Sequence, residues 1–151
     1  MIIRFKTKDE NVKYPTRANP SDAGLDVFYA GTEDVIIESL QNCILPTGLM
    51  FEIPHGYMLQ VCNRGSMGAK KSLIVGAHIV DSGYDGEIFV DLHNIGQETQ
   101  IIRAGDKIAQ LIMIPVVHFI PMLMEEDEIS LYSWHPVSMS NRGSGALGST
   151  D

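Results

Sequence analysis

The sequence predicts an all-β domain, a β-sandwich or jelly roll with at most one short helix, on three observations. Turn-forming residues recur at roughly the 8 to 12 residue spacing of small all-β domains: Gly31-Thr32, Gln41-Asn42, Pro46-Thr47-Gly48, Pro54-His55-Gly56, Gly65, Gly83, Asn94-Ile95-Gly96 and Gly105-Asp106. The segments between them are short and rich in Val, Ile, Leu and Phe, which fit a pleated, half-buried surface. Apolar residues keep helical spacing nowhere for three turns, and the nearest approach is a short piece from Met67 to Ser72.

Taken in order, residues 2 to 6 predict a first strand, and Pro15, Asn19, Pro20, Ser21 and Asp22 a polar loop that ends at the apolar segment Leu25 to Ala30. The central stretch is Ala77 to Leu92, AHIVDSGYDGEIFVDL. An apolar run reaches Asp81, breaks into a turn with Gly83 and Gly86 either side of Tyr84, and resumes with Ile88, Val90 and Leu92 on one face, which predicts a β-hairpin with a charged mouth. An Asp in that place is a turn former bonding nearby backbone N–H groups, or a fixed base beside a pocket. Lys107 to Phe119 is the longest apolar stretch and reads as core, divided or bent at Pro115. The acidic run Glu125 to Glu128 reads as a solvated loop. Ser138 to Asp151 is glycine-rich with one arginine, which suits either a flexible tail or a flap closing over an anion.

A chain of 151 residues forms one ordinary domain without needing staples. It holds 44% hydrophobic and 20% charged residues, and no apolar run approaches a membrane span. Two cysteines, Cys43 and Cys62, and a first segment without the apolar core of a secretory signal give a cytoplasmic expectation. A net charge of −8 argues against a nucleic acid polymer as partner, because phosphate backbones need a basic face. A small anion can still be held by a few local cations and backbone N–H groups.

Three stretches combine glycine, a cation and hydroxyl or amide groups in the manner that suits polyphosphate: NRGSMGAKK at 63 to 71, GDKIAQ at 105 to 110, and RGSGALGST at 142 to 150. GAKKS lacks the first glycine of a Walker A loop, which excludes a P-loop. The five histidines are dispersed and the cysteines form no Cys-x-x-Cys, so zinc chemistry fits badly. No serine sits in a G-x-S-x-G elbow. Any metal should be a hard cation carried with phosphate.

In order, DAGLDVFYA at 22 to 30, NRGSMGAKK at 63 to 71, AHIVDSGYDGE at 77 to 87, AGDKIAQLI at 104 to 112 and RGSGALGST at 142 to 150 resemble the five motifs of the trimeric dUTPases, with PTGLMFEIPHGY at 46 to 57 as the connector. The resemblance implies a jelly-roll-like dUTPase fold and a homotrimer with shared active sites. It implies hydrolysis of dUTP to dUMP and pyrophosphate with Mg²⁺, which limits uracil in DNA and supplies dUMP. It divides the chain into a β-domain over 1–137 and a C-terminal arm over 138–151 that closes on a site. It makes Asp81 the base that deprotonates the attacking water, and Tyr84 the ring against deoxyribose that rejects a 2′-hydroxyl. The backbone around His78, Ile79 and Phe89 becomes the uracil-reading edge. Arg64, Gly65, Ser66 and Gln110 fall at phosphate-binding positions. Arg142, Leu147, Gly148, Ser149 and Thr150 fall on the arm, and Asp26 meets the metal through water.

Some residues depart from the family pattern. Arg64-Gly65-Ser66 stands for the usual Arg-Ser-Gly or Arg-Ser-Ser, Leu147 for the aromatic that covers uracil, Asp85 for a common Arg or Gln, and His78 for a common glycine. Asp91 lies where the related dCTP deaminases carry a glutamate base, so a deaminase or bifunctional enzyme is one alternative reading. A dUTPase-fold protein-binding regulator is the other.

Overall fold

The computed structural model describes residues 1–123, and all its regular elements fall within the unit Met1–His118. Among the described residues there are eleven strands and one helix, which agrees with the expected all-β class with at most one short helix. The strands are β1 (Phe5–Thr7), β2 (Leu25–Phe28), β3 (Val35–Ile37), β4 (Asn42–Pro46), β5 (Leu49–Phe51), β6 (Tyr57–Cys62), β7 (Leu73–Val75), β8 (Ile79–Val80), β9 (Phe89–Asn94), β10 (Gln100–Ile102) and β11 (Lys107–Pro115). Helix α1 (Gly65–Lys71) follows β6. It ends at Ser72 in the left-handed region, φ 52°, whose N–H closes onto Gly68 and Met67 carbonyls.

Two sheets build the site. One is four-stranded in the order β2-β11-β6-β8, the other three-stranded in the order β4-β9-β7, and every pairing is antiparallel. Two-stranded ribbons β1-β5 and β10-β3 complete the fold. Alternation drives the inward faces together: Ile88, Val90 and Leu92 are each under 3% exposed, as their spacing predicts, and they join Leu59, Val61 and Leu111 in one core.

Four expectations change. The first strand starts at Phe5 and not at Ile2, which is exposed. Strand β2 stops at Phe28, since Tyr29 and Ala30 bond outside it, Tyr29 N–H to the Asp106 carbonyl and Ala30 N–H to the Pro46 carbonyl. The 107–119 stretch is one strand ending at Pro115; Ile108, Ala109 and Leu111 are core, while Val117 and Phe119 are exposed. The hairpin is not a hairpin: β8 pairs with β6 and β9 with β4 and β7, so the connection crosses between sheets. The reason lies at the turn between β4 and β5. The Ile88 carbonyl accepts from Thr47 N–H and from Thr47 Oγ1 at 2.6 Å, and Ile88 N–H donates to Leu49, which draws the returning strand away from β8.

Candidate functional site

The crossing between β8 and β9 begins with a four-residue turn, Asp81 to Tyr84, in which Tyr84 N–H donates to the Asp81 carbonyl. Gly83 takes φ +89° there, a conformation that requires glycine. The turn is thus closed by the main chain of Asp81, which leaves the side chain exposed at the mouth. Tyr84 folds its ring back over Gly86 and donates its hydroxyl to the Glu87 carbonyl at 2.9 Å. A Cβ on Gly86 would lie 2.6 Å from the ring, so glycine makes this closure feasible. Glu87 Oε1 in turn accepts from Gly48 N–H at 2.8 Å, tying the loop to the turn between β4 and β5.

A slot of about 240 Å³ opens here, lined by Ile79, Val80, Asp81, Tyr84, Glu87, Ile88 and Phe89. Its exposed apolar walls, Ile79, Tyr84 and Phe89, stand beside two carboxylates, Asp81 and the Glu87 that bonds Gly48, which suits a flat ring with a polar reacting end. A larger cavity of about 530 Å³ lies beyond Tyr84, against Arg4, Phe5, Met50 and Phe51, but Asp81 does not line it and we place no chemistry there. His78 lies next to the slot. Its carbonyl accepts from Val61 N–H, and its Nδ1 is 3.0 Å from the Val61 carbonyl, so both groups hold β6.

A second group gathers at the other end of the four-stranded sheet. Asp26 on β2 faces Gln110 on β11, and Gln110 also faces Cys62, just before Arg64. Asp26 Oδ1 accepts from Arg64 Nε at 2.8 Å, and Oδ2 accepts from Lys107 Nζ at 2.7 Å, which leaves the trio one net positive charge. Burial acts to raise the Asp26 pKa, but the hydrogen bonds and charges of Lys107 and Arg64 outweigh it and hold the carboxyl below its ordinary value. Arg64 Nη1 also donates to Ser66 Oγ at 3.4 Å and to the Lys107 carbonyl at 3.5 Å, long bonds that aim the guanidinium along the start of α1. Gly65 and Ser66 open α1 and are exposed. Gln110 Nε2 donates to the Asn63 carbonyl at 2.9 Å, so this amide shapes the turn that carries Arg64. Asn63 Oδ1 accepts from Val75 N–H at 2.6 Å and anchors the same turn from β7.

The predicted site residues therefore fall into two groups. Asp81, Tyr84, Ile79 and Phe89 share the slot; Asp26, Arg64 and Gln110 share the cationic end, and none of these three lines the slot. Val80 pairs with Leu59 while Gln110 pairs with Cys62, three residues further along β6, about 10 Å at a strand's rise of ~3.3 Å per residue. Arg142, Leu147, Gly148, Ser149 and Thr150 lie outside the described residues, as does the acidic run 125–128. Sequence reasoning passed over Lys107, Asn63 and Glu87. Lys107 stood in the GDKIAQ stretch, but regular alternation sends it to the face opposite Gln110.

Asp91 bonds Asn42 Nδ2 and His93 Nε2, each at 2.9 Å, and is not in the slot, so it makes no contact there that a deaminase base would need. Burial pushes the Cys43 and Cys62 thiols up, which makes both poor nucleophiles. Among the described residues no three His, Cys, Asp or Glu side chains cluster to cage a metal, and no helix is long and apolar enough to cross a membrane. Both oxygens of Asp26, the carboxylate of the cationic end, are bonded to cations, so this end offers Mg²⁺ no free carboxylate ligand; an ion carried on phosphate oxygens and keeping its waters would meet Asp26 only through those waters.

Comparison with known proteins gives a consistent result. A family described as dUTPase matches residues 10–150. The deoxyuridine 5'-triphosphate nucleotidohydrolase of Desulfitobacterium hafniense is 34% identical over 151 residues, covering 98% of this chain and 93% of its own. That of Anaplasma marginale is 33% identical, covering 90% and 87%. Among solved structures, the dUTPase of Staphylococcus bacteriophage 80alpha with dUpNHpp superposes with a TM-score of 0.81 at 24% identity, covering 99% of this chain and 98% of that one. A variant of the dUTPase of phage phi11 of S. aureus, solved for its structural Mg(II) ion, is 25% identical with a TM-score of 0.73, covering 85% and 98%.

Proposed function

The chain belongs to the dUTPase family, and we propose that it hydrolyses dUTP to dUMP and pyrophosphate through the slot that Asp81 and Tyr84 form. The observation that carries this reading is the exposed Asp81 carboxylate at the mouth of a narrow apolar slot, in a turn that does not need its side chain.

Asp81 takes a proton from a water whose oxygen attacks the α-phosphorus. The bond from that phosphorus to the bridging oxygen breaks, and the electron pair leaves with pyrophosphate. Tyr84, fixed by its bond to Glu87, lies against the sugar and leaves no room for a 2′-hydroxyl. The backbone of His78, Ile79 and Phe89 reads uracil. Arg64, with Gly65 and Ser66, neutralises phosphate charge, and Gln110 holds the turn that aims Arg64. Any Mg²⁺ would come with the phosphates of the nucleotide, whose charge it would neutralise, and would reach Asp26 only through water. Arg142 with Leu147, Gly148, Ser149 and Thr150 closes the site as the arm.

Separation of slot and cationic end along β6 supports an active site shared between subunits of a homotrimer, the slot of one protomer facing the cationic end of another. A symmetric ring of three repeats that contact in a closed assembly. The test is pyrophosphate release with Mg²⁺. Release is expected from dUTP and not from UTP or dTTP, with no ammonia from dCTP. A folded protein silent on dUTP would sink the reading, and ammonia from dCTP would restore the deaminase alternative.

A further inference from the structure

We propose that Glu87 is a positioning residue: its carboxylate braces the loop between β8 and β9 against the turn between β4 and β5, and so fixes Tyr84 as a wall of the slot. That Tyr84 held in this way sets the choice of deoxyribose over ribose rests on the dUTP reading above; the brace itself does not.

The two carboxylates that line the slot are used differently. Asp81 is exposed at the mouth. The Glu87 side chain is only 13% exposed and both its oxygens are engaged: Oε1 accepts from Gly48 N–H at 2.8 Å, and Oε2 lies 3.6 Å from Lys8 Nζ. The lysine side chain is 66% exposed, and an ion pair with so exposed a partner contributes little. The bond to Gly48 therefore carries the brace, and a carboxylate makes it stronger than a neutral acceptor would.

The far end of the brace is fixed. The Gly48 carbonyl accepts from Lys8 N–H at 2.8 Å, and the Val12 side chain packs against Gly48. At the near end the Tyr84 hydroxyl donates to the Glu87 carbonyl at 2.9 Å, so the ring follows that carbonyl. The peptide carrying the carbonyl has one other tie, from Ile88 N–H to the Leu49 carbonyl at 2.8 Å. One bond lets the peptide swing about it, and the carboxylate of the same residue supplies a second fixed point. Restraint is needed because Tyr84 walls both the slot and the cavity of about 530 Å³ behind it, which gives an unbraced ring open space to retreat into.

Amide hydrogen exchange of nucleotide-free protein tests the brace, and the Kd values of a non-hydrolysable α,β-imido dUTP analogue and of its ribose counterpart test the sugar choice. In Glu87→Ala we expect the amides of residues 82–86 to exchange about tenfold faster and the preference for the deoxy analogue to fall about tenfold, the loss of one charge-assisted hydrogen bond. Glu87→Gln keeps an oxygen within reach of Gly48 N–H and should stay within about threefold of native in both readouts and in dUTP turnover, which a proton-transferring carboxylate would not allow. Glu87→Asp keeps the charge but is one methylene too short; it should behave like the Ala variant, and it serves if that variant does not fold, as judged by its thermal melt. A merely structural glutamate would lower the melt without moving the preference. Unchanged exchange or unchanged preference in the Ala variant, or a Gln variant as impaired as Ala, therefore overturns the proposal. Native protein silent on dUTP, with the exchange effect intact, would remove the proposed function and leave the brace standing.

Discussion

Asp81 carries its carboxylate on the exposed side of a turn whose hydrogen bond is made by its main chain. Removing that charge should therefore cost chemistry and not structure. For Asp81→Asn we expect kcat on dUTP to fall by about 10³-fold, within the range of general-base losses, while the thermal melt and the Kd of the imido analogue change little. Residual turnover near the native rate would take Asp81 out of the role. Asp91 is the opposite case. Burial acts to raise its pKa, and hydrogen bonds from Asn42 and His93, with the His93 charge, outweigh burial and leave it below the ordinary value. A carboxylate with a depressed folded-state pKa stabilises above its unfolded pKa, and that contribution is lost as pH falls through the folded pKa. Asp91→Asn should thus lower stability by about 1 kcal/mol at pH 7 and by progressively less below about pH 4, read as urea midpoints at several pH values. Turnover of dUTP should be unaffected. At this scale the sequence named Asp81 but left open whether it closed the turn by its side chain, because a composition of Asp, Ser and Gly fits both uses.

Among the elements, the crossing from β8 to β9 and the strand β11 decide the site. The crossing depends on Gly86, over which the Tyr84 ring closes. Gly86→Ala places a methyl against that ring and should push Tyr84 off the sugar position. The expected result is a folded protein with about tenfold lower kcat/KM for dUTP and a smaller preference over UTP; an unchanged dUTP to UTP ratio would argue that Tyr84 does not set sugar choice. Strand β9 carries the core beneath, and Leu92, 1% exposed, faces Cys43 on β4 and Val75 on β7. Leu92→Ala should cost about 3 kcal/mol in a denaturant melt through lost burial and a cavity. Apolar alternation made β9 legible as a strand with its buried face. It did not reveal the partners, because alternation marks a buried face and says nothing of which strand lies alongside.

In the whole molecule, the slot and the cationic end occupy different stretches of β6, and a site shared between protomers is testable by mixing. Asp81→Asn and Arg64→Ala should each be inactive alone. Refolded together at equal amounts, they should regain about a quarter of native activity, because only slots from the Arg64 variant that meet cationic ends from the Asp81 variant are intact. Mixed protein with no more activity than its components would place each site within one chain. The family and the all-β class were legible because motif order and turn spacing are local properties of the chain. Asp26, Arg64, Asp81 and Gln110 were legible as site candidates for the same reason. What only the tertiary structure decided is which of these meet: β8 leaves β9 for β6, Gln110 turns to the Asn63 carbonyl, and a bulge at Ile108 carries Lys107 to Asp26. Pairing and register are set by long-range packing and backbone hydrogen bonds between distant segments, and no pattern within a single segment records them.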